Sequence, residues 1–214
     1  MAAPKAARAA LLVLAPALVG GAVIVGGAAE RPAAPLPAIS LHQWTPQPGD
    51  LVLTAADDLL GTNIRNASGR DAVYSHIGLV VLQNGAPAII EATPFGAGKV
   101  AFSDLGGFTR NPETTELLVL RPRAPIDTAR LSAESERLTA AAVEFDYGFD
   151  MADSSALFCA ELAYRLLEAA GLDVSGIPWT DMYIPLHGNR RLVTPDAFAR
   201  AAALQPVYRR RKAA

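Results

Sequence analysis

From Leu51 onward, short apolar runs alternate with polar stretches, and that rhythm predicts strands first and helices after them. Leu51-Val52-Leu53-Thr54 reads as a short strand following Gly49-Asp50. Residues 57–75 are polar and carry Gly61, Asn63, Asn66 and Gly69. They read as a long connection with room for one helical turn, and loops of this length often belong to a site. His76-Ile77-Gly78-Leu79-Val80-Val81-Leu82 is nearly unbroken apolar sequence and predicts a strand. Asn84-Gly85 is a strong hairpin signal, and residues 88–92 form the returning strand. Pro94 and Gly96-Ala97-Gly98 make a turn. Residues 99–102 and 116–121 are two further strands, the second built on Leu117-Leu118-Val119-Leu120.

The period then lengthens. Residues 126–144 set Leu131, Leu138, Ala142 and Val143 among Ser, Glu and Arg, which suits a helix. Asp146-Tyr147-Gly148-Phe149-Asp150 breaks it. Ala156-Leu157-Phe158-Cys159-Ala160-Glu161-Leu162-Ala163-Tyr164 opens an amphipathic helix, with Ser154 or Ser155 as its N-cap and Gly171 as its stop. Phe158, Leu162, Leu166 and Ala169 fall near one face of it, Arg165 and Glu168 on another. Residues 173–191 read as irregular and rich in aromatics. Thr194-Pro195-Asp196 caps a short helix that runs to Leu204, and Val207-Tyr208 adds an edge strand. There are no internal repeats. Strands followed by helices predict an α+β fold with an antiparallel sheet packed against helices.

The beginning of the chain is different in kind. Lys5 and Arg8 precede an uncharged run over residues 9–29, which Glu30 and Arg31 end. A basic flank before such a run is an export signal. The run is long enough to span a bilayer, while Gly27-Ala28-Ala29 offers small residues for cleavage. A cleaved signal and a retained membrane anchor both remain open. Either places the domain outside the cytoplasm, periplasmic or otherwise, and the anchored form would associate with the membrane. No cysteine follows the run, so a lipoprotein anchor at this site is excluded. The organisation expected is a leader at 1–30, a Pro-rich linker at 31–48, a domain at 49–208 and a basic tail at 209–214.

Composition narrows the function. Apolar residues make up 51% of the chain and charged residues 19%, which is globular rather than disordered. A net charge of −2 argues against a nucleic-acid partner. The tail Arg209-Arg210-Arg211-Lys212 is the local exception, expected as a solvated end and less readily as a contact for anionic lipid. A single cysteine leaves a free thiol. Three histidines and that cysteine show no metal-ligand spacing, so no metal and no cofactor are expected.

Cys159 is therefore the first candidate for chemistry. It falls in or near the first turn of its helix, where orphan N–H groups and the helix dipole favour a thiolate. The alternative is a small buried hydrophobe. A thiol nucleophile needs a base, and the base needs a third group to orient it. His76 begins the best strand in the chain, where a site residue would project; His187 suits the surface better and His42 falls in the linker. Glu91 is the only charge in the returning strand. Pairing about Asn84-Gly85 sets it opposite Ile77 or Gly78, one or two positions from His76, so its carboxylate could hold the imidazole.

Ser75-His76-Ile77-Gly78-Leu79-Val80, Ile90-Glu91-Ala92 and the Cys159 segment together resemble the circularly permuted branch of the NlpC/P60 papain-like cysteine hydrolases. More closely they resemble its YiiX/YebB-like group, also called DUF830 or orthopoxvirus G6-like. The resemblance covers residue 49 to about residue 198. In that branch the histidine and its polar partner precede the cysteine, as His76, Glu91 and Cys159 do. Tyr147-Gly148 is similar to the Tyr-x-x-Gly-Gly segment that lines the site in unpermuted members. The resemblance implies a papain-like fold, Cys159, His76 and Glu91 as catalytic residues, and Tyr147 and Ser75 near the substrate or oxyanion. Phe158 before the cysteine and Ala160 after it, where Ser is common, depart from the family pattern and leave the oxyanion donors open. The implied activity is hydrolysis of an amide of cell-wall peptide or an acyl bond of lipid by a monomer. Acyl transfer, as in lecithin:retinol acyltransferase-like members, and a silent lipid- or peptide-binding domain are the alternatives.

Overall fold

The computed structural model describes residues 44–56, 59–68, 71–96 and 98–212. The expected leader and most of the expected linker, with His42, lie outside the described residues. In chain order the elements are β1 (Leu51–Ala56), α1 (Leu59–Ser68), β2 (His76–Gln83), β3 (Ala86–Ala92), β4 (Val100–Ser103), α2 (Leu105–Thr109), β5 (Thr114–Pro122), α3 (Thr128–Ala140), β6 (Glu144–Phe145), β7 (Ala156–Leu157), α4 (Cys159–Ala169), β8 (Thr180–Ile184), β9 (Gly188–Leu192), α5 (Pro195–Arg200) and β10 (Leu204–Arg211).

The long apolar runs become the middle of one sheet because they are covered on both faces. Its order is β10-β5-β1-β2-β3-β4, and every pairing is antiparallel. One face sends Leu51, Leu53, Ile77, Leu79, Ile90, Leu118 and Leu120 into the main core, against Leu131 of α3 and Leu162 and Leu166 of α4. The other carries Val52, Val80, Ile89, Leu117 and Val119 beneath Trp44, Phe108 and Tyr208. Two covered faces explain why β2 shows no polar alternation. Each such aliphatic side chain contributes about 1.5–3 kcal/mol by leaving water. This is the expected α+β arrangement, a large antiparallel sheet packed against helices.

Asn84 and Gly85 turn the β2–β3 hairpin with φ of 52° and 79°. Positive φ at both central residues matches the twist of the strands, and this is why Asn-Gly is favoured there. At the start of β4 the chain pairs onward: Val100 N donates to the Val143 carbonyl, and Phe145 N to that of Gly98. β6 then pairs parallel with β7, which delivers the chain to Cys159.

Several sequence expectations need correction. Residues 57–75 hold the helix α1, which at ten residues is far longer than one turn. The helix expected over 126–144 begins only at Thr128, because the Asp127 carboxylate caps it by accepting from the N–H groups of Ala129 and Arg130. Neither Ser154 nor Ser155 caps α4; β7 intervenes, and Phe158 is the N-cap with no side-chain bond. Residues 173–191 are not irregular throughout, since β8 and β9 form a hairpin there. The last helix ends at Arg200, and Leu204 already belongs to β10. Finally, Arg209, Arg210 and Arg211 are strand rather than a solvated end. Arg209 and Arg211 both pair with Glu116 at 2.8 Å, and Arg210 donates to the Thr109 carbonyl at 2.7 Å. No helix among the described residues is long and apolar enough to cross a membrane.

Candidate active site

His76 is held from behind before its ring meets anything. Asp196, in the first turn of α5, accepts from Val73 N at 2.9 Å and Tyr74 N at 3.2 Å. Ser75 N donates to the Thr54 carbonyl at 3.0 Å, and His76 then pairs with Thr54 across the β1–β2 ladder. The approach to β2 is thus tied to a helix more than a hundred residues away in sequence.

The hairpin register brings the partner. Leu79 pairs with Ile90, so the next step along puts Glu91 level with Gly78, two positions from His76 on the same side of the sheet. The side chains close that gap: His76 Nε2 lies 2.6 Å from Glu91 Oε2. Glu91 Oε1 accepts a short hydrogen bond from the Ser103 hydroxyl on β4. Gly78 makes room here. A Cβ on it would lie 2.5 Å from Ile89 Cγ2 and 3.1 Å from the Phe108 ring. That ring packs on the imidazole, with centroids 5.6 Å apart.

Cys159 opens α4 beside the His76 ring, near enough for its sulfur to act on the imidazole. With Nε2 engaged by Glu91, Nδ1 is the nitrogen that remains for the sulfur. The three groups grade outward: Cys159 is 7% exposed, and the Glu91 and His76 side chains are 12% and 26% exposed. Burial alone would lower the His76 pKa. Cys159 and Glu91, which accept from the protonated ring and carry negative charge, outweigh it and raise the imidazole from 6.5 to about 10. Burial works to raise the Glu91 carboxyl, but His76 and then Ser103 hold it below its ordinary value. The imidazole is therefore a cation at neutral pH, set between a carboxylate and a sulfur.

The remaining sequence candidates sit differently. The Ser75 hydroxyl turns to the Thr54 carbonyl at 3.5 Å and is buried. Tyr147 is 59% exposed, its ring edge-on to Phe145, and its hydroxyl donates to the Pro94 carbonyl at 3.4 Å. His187 is exposed beside Gly148; a Cβ on Gly148 would lie 3.5 Å from its Nδ1. Sequence reasoning missed Ser103, Phe108 and Asp196. Ser103 was within reach of it, since β3–β4 pairing sets Ser103 opposite Ile89 and two positions from the strand partner of Glu91. Phe108 and Asp196 carry no comparable signal, because their role depends on how α2 and α5 pack.

No family model matches the chain, and no curated protein matches it in sequence. Solved structures match it in fold. A crystal structure of the metalloprotein YiiX from Escherichia coli O157:H7 superposes with a TM-score of 0.66 at 19% identity, over 79% of this chain and all of that one. At that identity the likeness establishes architecture alone: this chain has the YiiX-like fold.

Proposed function

We propose that the chain is a cysteine hydrolase acting on an amide or acyl bond outside the cytoplasm. The observation that carries the reading is the His76 ring, bonded to Glu91 at 2.6 Å and lifted in pKa by that carboxylate and by the neighbouring Cys159 sulfur. Kinship with the permuted NlpC/P60 hydrolases rests on the order and spelling of the same three motifs. The exported address rests on the basic-then-apolar order of residues 5–29.

In this scheme the proton already sits on His76. The Cys159 thiolate attacks the carbonyl carbon, and the C=O electron pair moves to oxygen. Cys159 and Ala160 are the first residues of α4, so their N–H groups have no partner within the helix and can receive that oxyanion. As the intermediate collapses, the bond to the leaving group breaks and His76 Nδ1 gives its proton to the departing amine or alcohol. Water then attacks the thioester, His76 takes a proton from it, and the acid leaves as the thiolate returns. Glu91 keeps Nε2 occupied throughout, so the ring cannot turn away from the sulfur.

YiiX is described as a metalloprotein. Among the described residues no three of His, Cys, Asp and Glu gather as ligands. His76 Nε2 and Glu91, the nearest donors, are bonded to each other. A pair already spent on each other does not fit a metal's ligand set.

The test is labelling of the full chain with iodoacetamide, followed by a screen of muropeptides against phospholipids with product analysis. A hydrolase gives rapid labelling at Cys159, slowed at least tenfold in His76→Ala, and turnover of one substrate class. Product formed only when an alcohol or amine acceptor is added would make it a transferase. A slow thiol indifferent to His76 would reduce the domain to a binding module.

A further inference from the structure

We infer that Glu161 is a positioning residue for Cys159, a buried carboxyl in the same helical turn whose charge sets how readily the sulfur reacts. The inference rests on the cysteine-hydrolase reading only in taking Cys159 as the reactive group.

Counting from the Phe158 N-cap, Cys159, Ala160 and Glu161 are the first, second and third residues of α4. A glutamate at the third position usually lies at the surface and reaches back to the N-cap N–H. Here the side chain is 0% exposed. Its Oε1 takes Arg165 Nη2 at 2.7 Å and Nε at 2.8 Å. Its Oε2 is buried with no hydrogen-bond partner. A carboxylate with one oxygen paired and one orphaned in the interior is poorly compensated, and protonation relieves it.

The charged groups that face Glu161 come from two elements. Arg165, on its own helix, favours the ionised form, and so does the Phe158 N–H at the N-cap. Asp146, just past β6, opposes it, although the Asp146 oxygens also hold Gly148 N and Asp150 N at 2.6 Å. Burial is the largest influence, and it places the Glu161 pKa at about 7, up from 4.5. Cys159 stands two residues back, at the head of the same helix.

The consequence for the sulfur has a definite sign. An ionised Glu161 cancels part of the positive end of α4 and repels a thiolate two residues away. A neutral Glu161 leaves that end intact. The thiolate is therefore better supported on the acid side of the Glu161 titration than on the alkaline side. Arg165 adds a mechanical link, since its Nη2 also donates to the Met151 carbonyl at 2.8 Å. The loop between β6 and β7, which leads into Cys159, is thereby held to the same ion pair.

Iodoacetamide alkylation of the full chain, followed from pH 5 to 10, reads this without a substrate. The expected profile has an inflection near 7 besides that of the thiol itself. Glu161→Gln keeps an acceptor for Arg165 and removes the charge. It should erase the inflection near 7 and leave only that of the thiol–imidazole pair. A purely structural Glu161 would instead change stability and leave the shape of the profile alone, and that result overturns the inference. Carbon-13 NMR of the side-chain carboxyls, assigned by difference against Glu161→Gln, gives the same titration directly. A midpoint near 4.5 there also overturns it. Loss of turnover on every substrate with the Glu161 inflection intact would remove the hydrolase reading and leave this one standing.

Discussion

Glu91 carries a charge that His76 depends on, and Ser103 supports Glu91 in turn. Glu91→Gln preserves the shape of the pair and deletes the charge. His76 loses one of the two groups that lift it, so its pKa should fall below the value of about 10, toward 6.5. Proton NMR of the His76 ring measures the fall. Cys159 alkylation at neutral pH should slow by about tenfold or more, the equivalent of about 1.4 kcal/mol of lost ion-pair support. An unchanged His76 titration would mean that Cys159 alone holds the proton in place. Ser103→Ala should act in the same direction and more weakly, since the Ser103 hydroxyl is the smallest of the influences that lower Glu91. At this scale much of the site was legible. A lone Glu in an apolar strand, a His at a strand mouth and one Cys at a helix start are exceptions to their surroundings. Glu161 was not legible, because glutamate in a first helical turn is ordinary until its burial is known.

The hairpin β2–β3 positions two of those residues, and Gly78 is where it is tightest. Gly78→Ala drives a methyl to within 2.5 Å of Ile89 and 3.1 Å of Phe108. Ile89 is buried in the sheet, so Phe108 and α2 must move, and α2 has no buried residues to resist. A loss of about 1–3 kcal/mol is expected from overpacking, read as a lower urea midpoint. His76 reactivity should change with it, because Phe108 is the ring packed on the imidazole. A variant of wild-type stability with an unchanged His76 titration would show the contact to be unimportant. Elements with a clean period were readable: β1, the two strands of the hairpin, β5 and α4. The β8–β9 hairpin was not. Met182, Ile184 and Leu192 are buried, but Asp181, Arg190 and Arg191 break up their pattern. Its turn also uses Leu186 at φ 71°, a residue that gives no turn signal. The cap of α4 was misplaced for a related reason. Ser154 and Ser155 are good caps by type, yet β7 pairing extends the chain past them to Phe158.

Over the whole molecule, the same buried groups tie stability to pH, and their signs can be added. Glu91 is held below 4.5, so its contribution is present above that pH and is lost as acid takes the solution through its folded pKa. His76 stands at about 10 against 6.5, so its contribution is complete below 6.5 and drains away as pH rises through 10. Glu161 stands at about 7 against 4.5, so ionising it in the folded protein carries a cost that grows between those values and stays constant above them. All three favour mildly acid solution. Urea unfolding followed by the fluorescence of Trp44 and Trp179 should give greatest stability close to about pH 5, with a decline from there to pH 10. The variants divide the decline into its parts. Glu161→Gln should flatten it between pH 5 and 7. Cys159→Ala should shorten the alkaline limb, since His76 then keeps only Glu91 to hold its proton. A stability that climbs from pH 6 to 9 would contradict both assignments at once. A decline that neither variant alters would place its origin in groups other than His76 and Glu161.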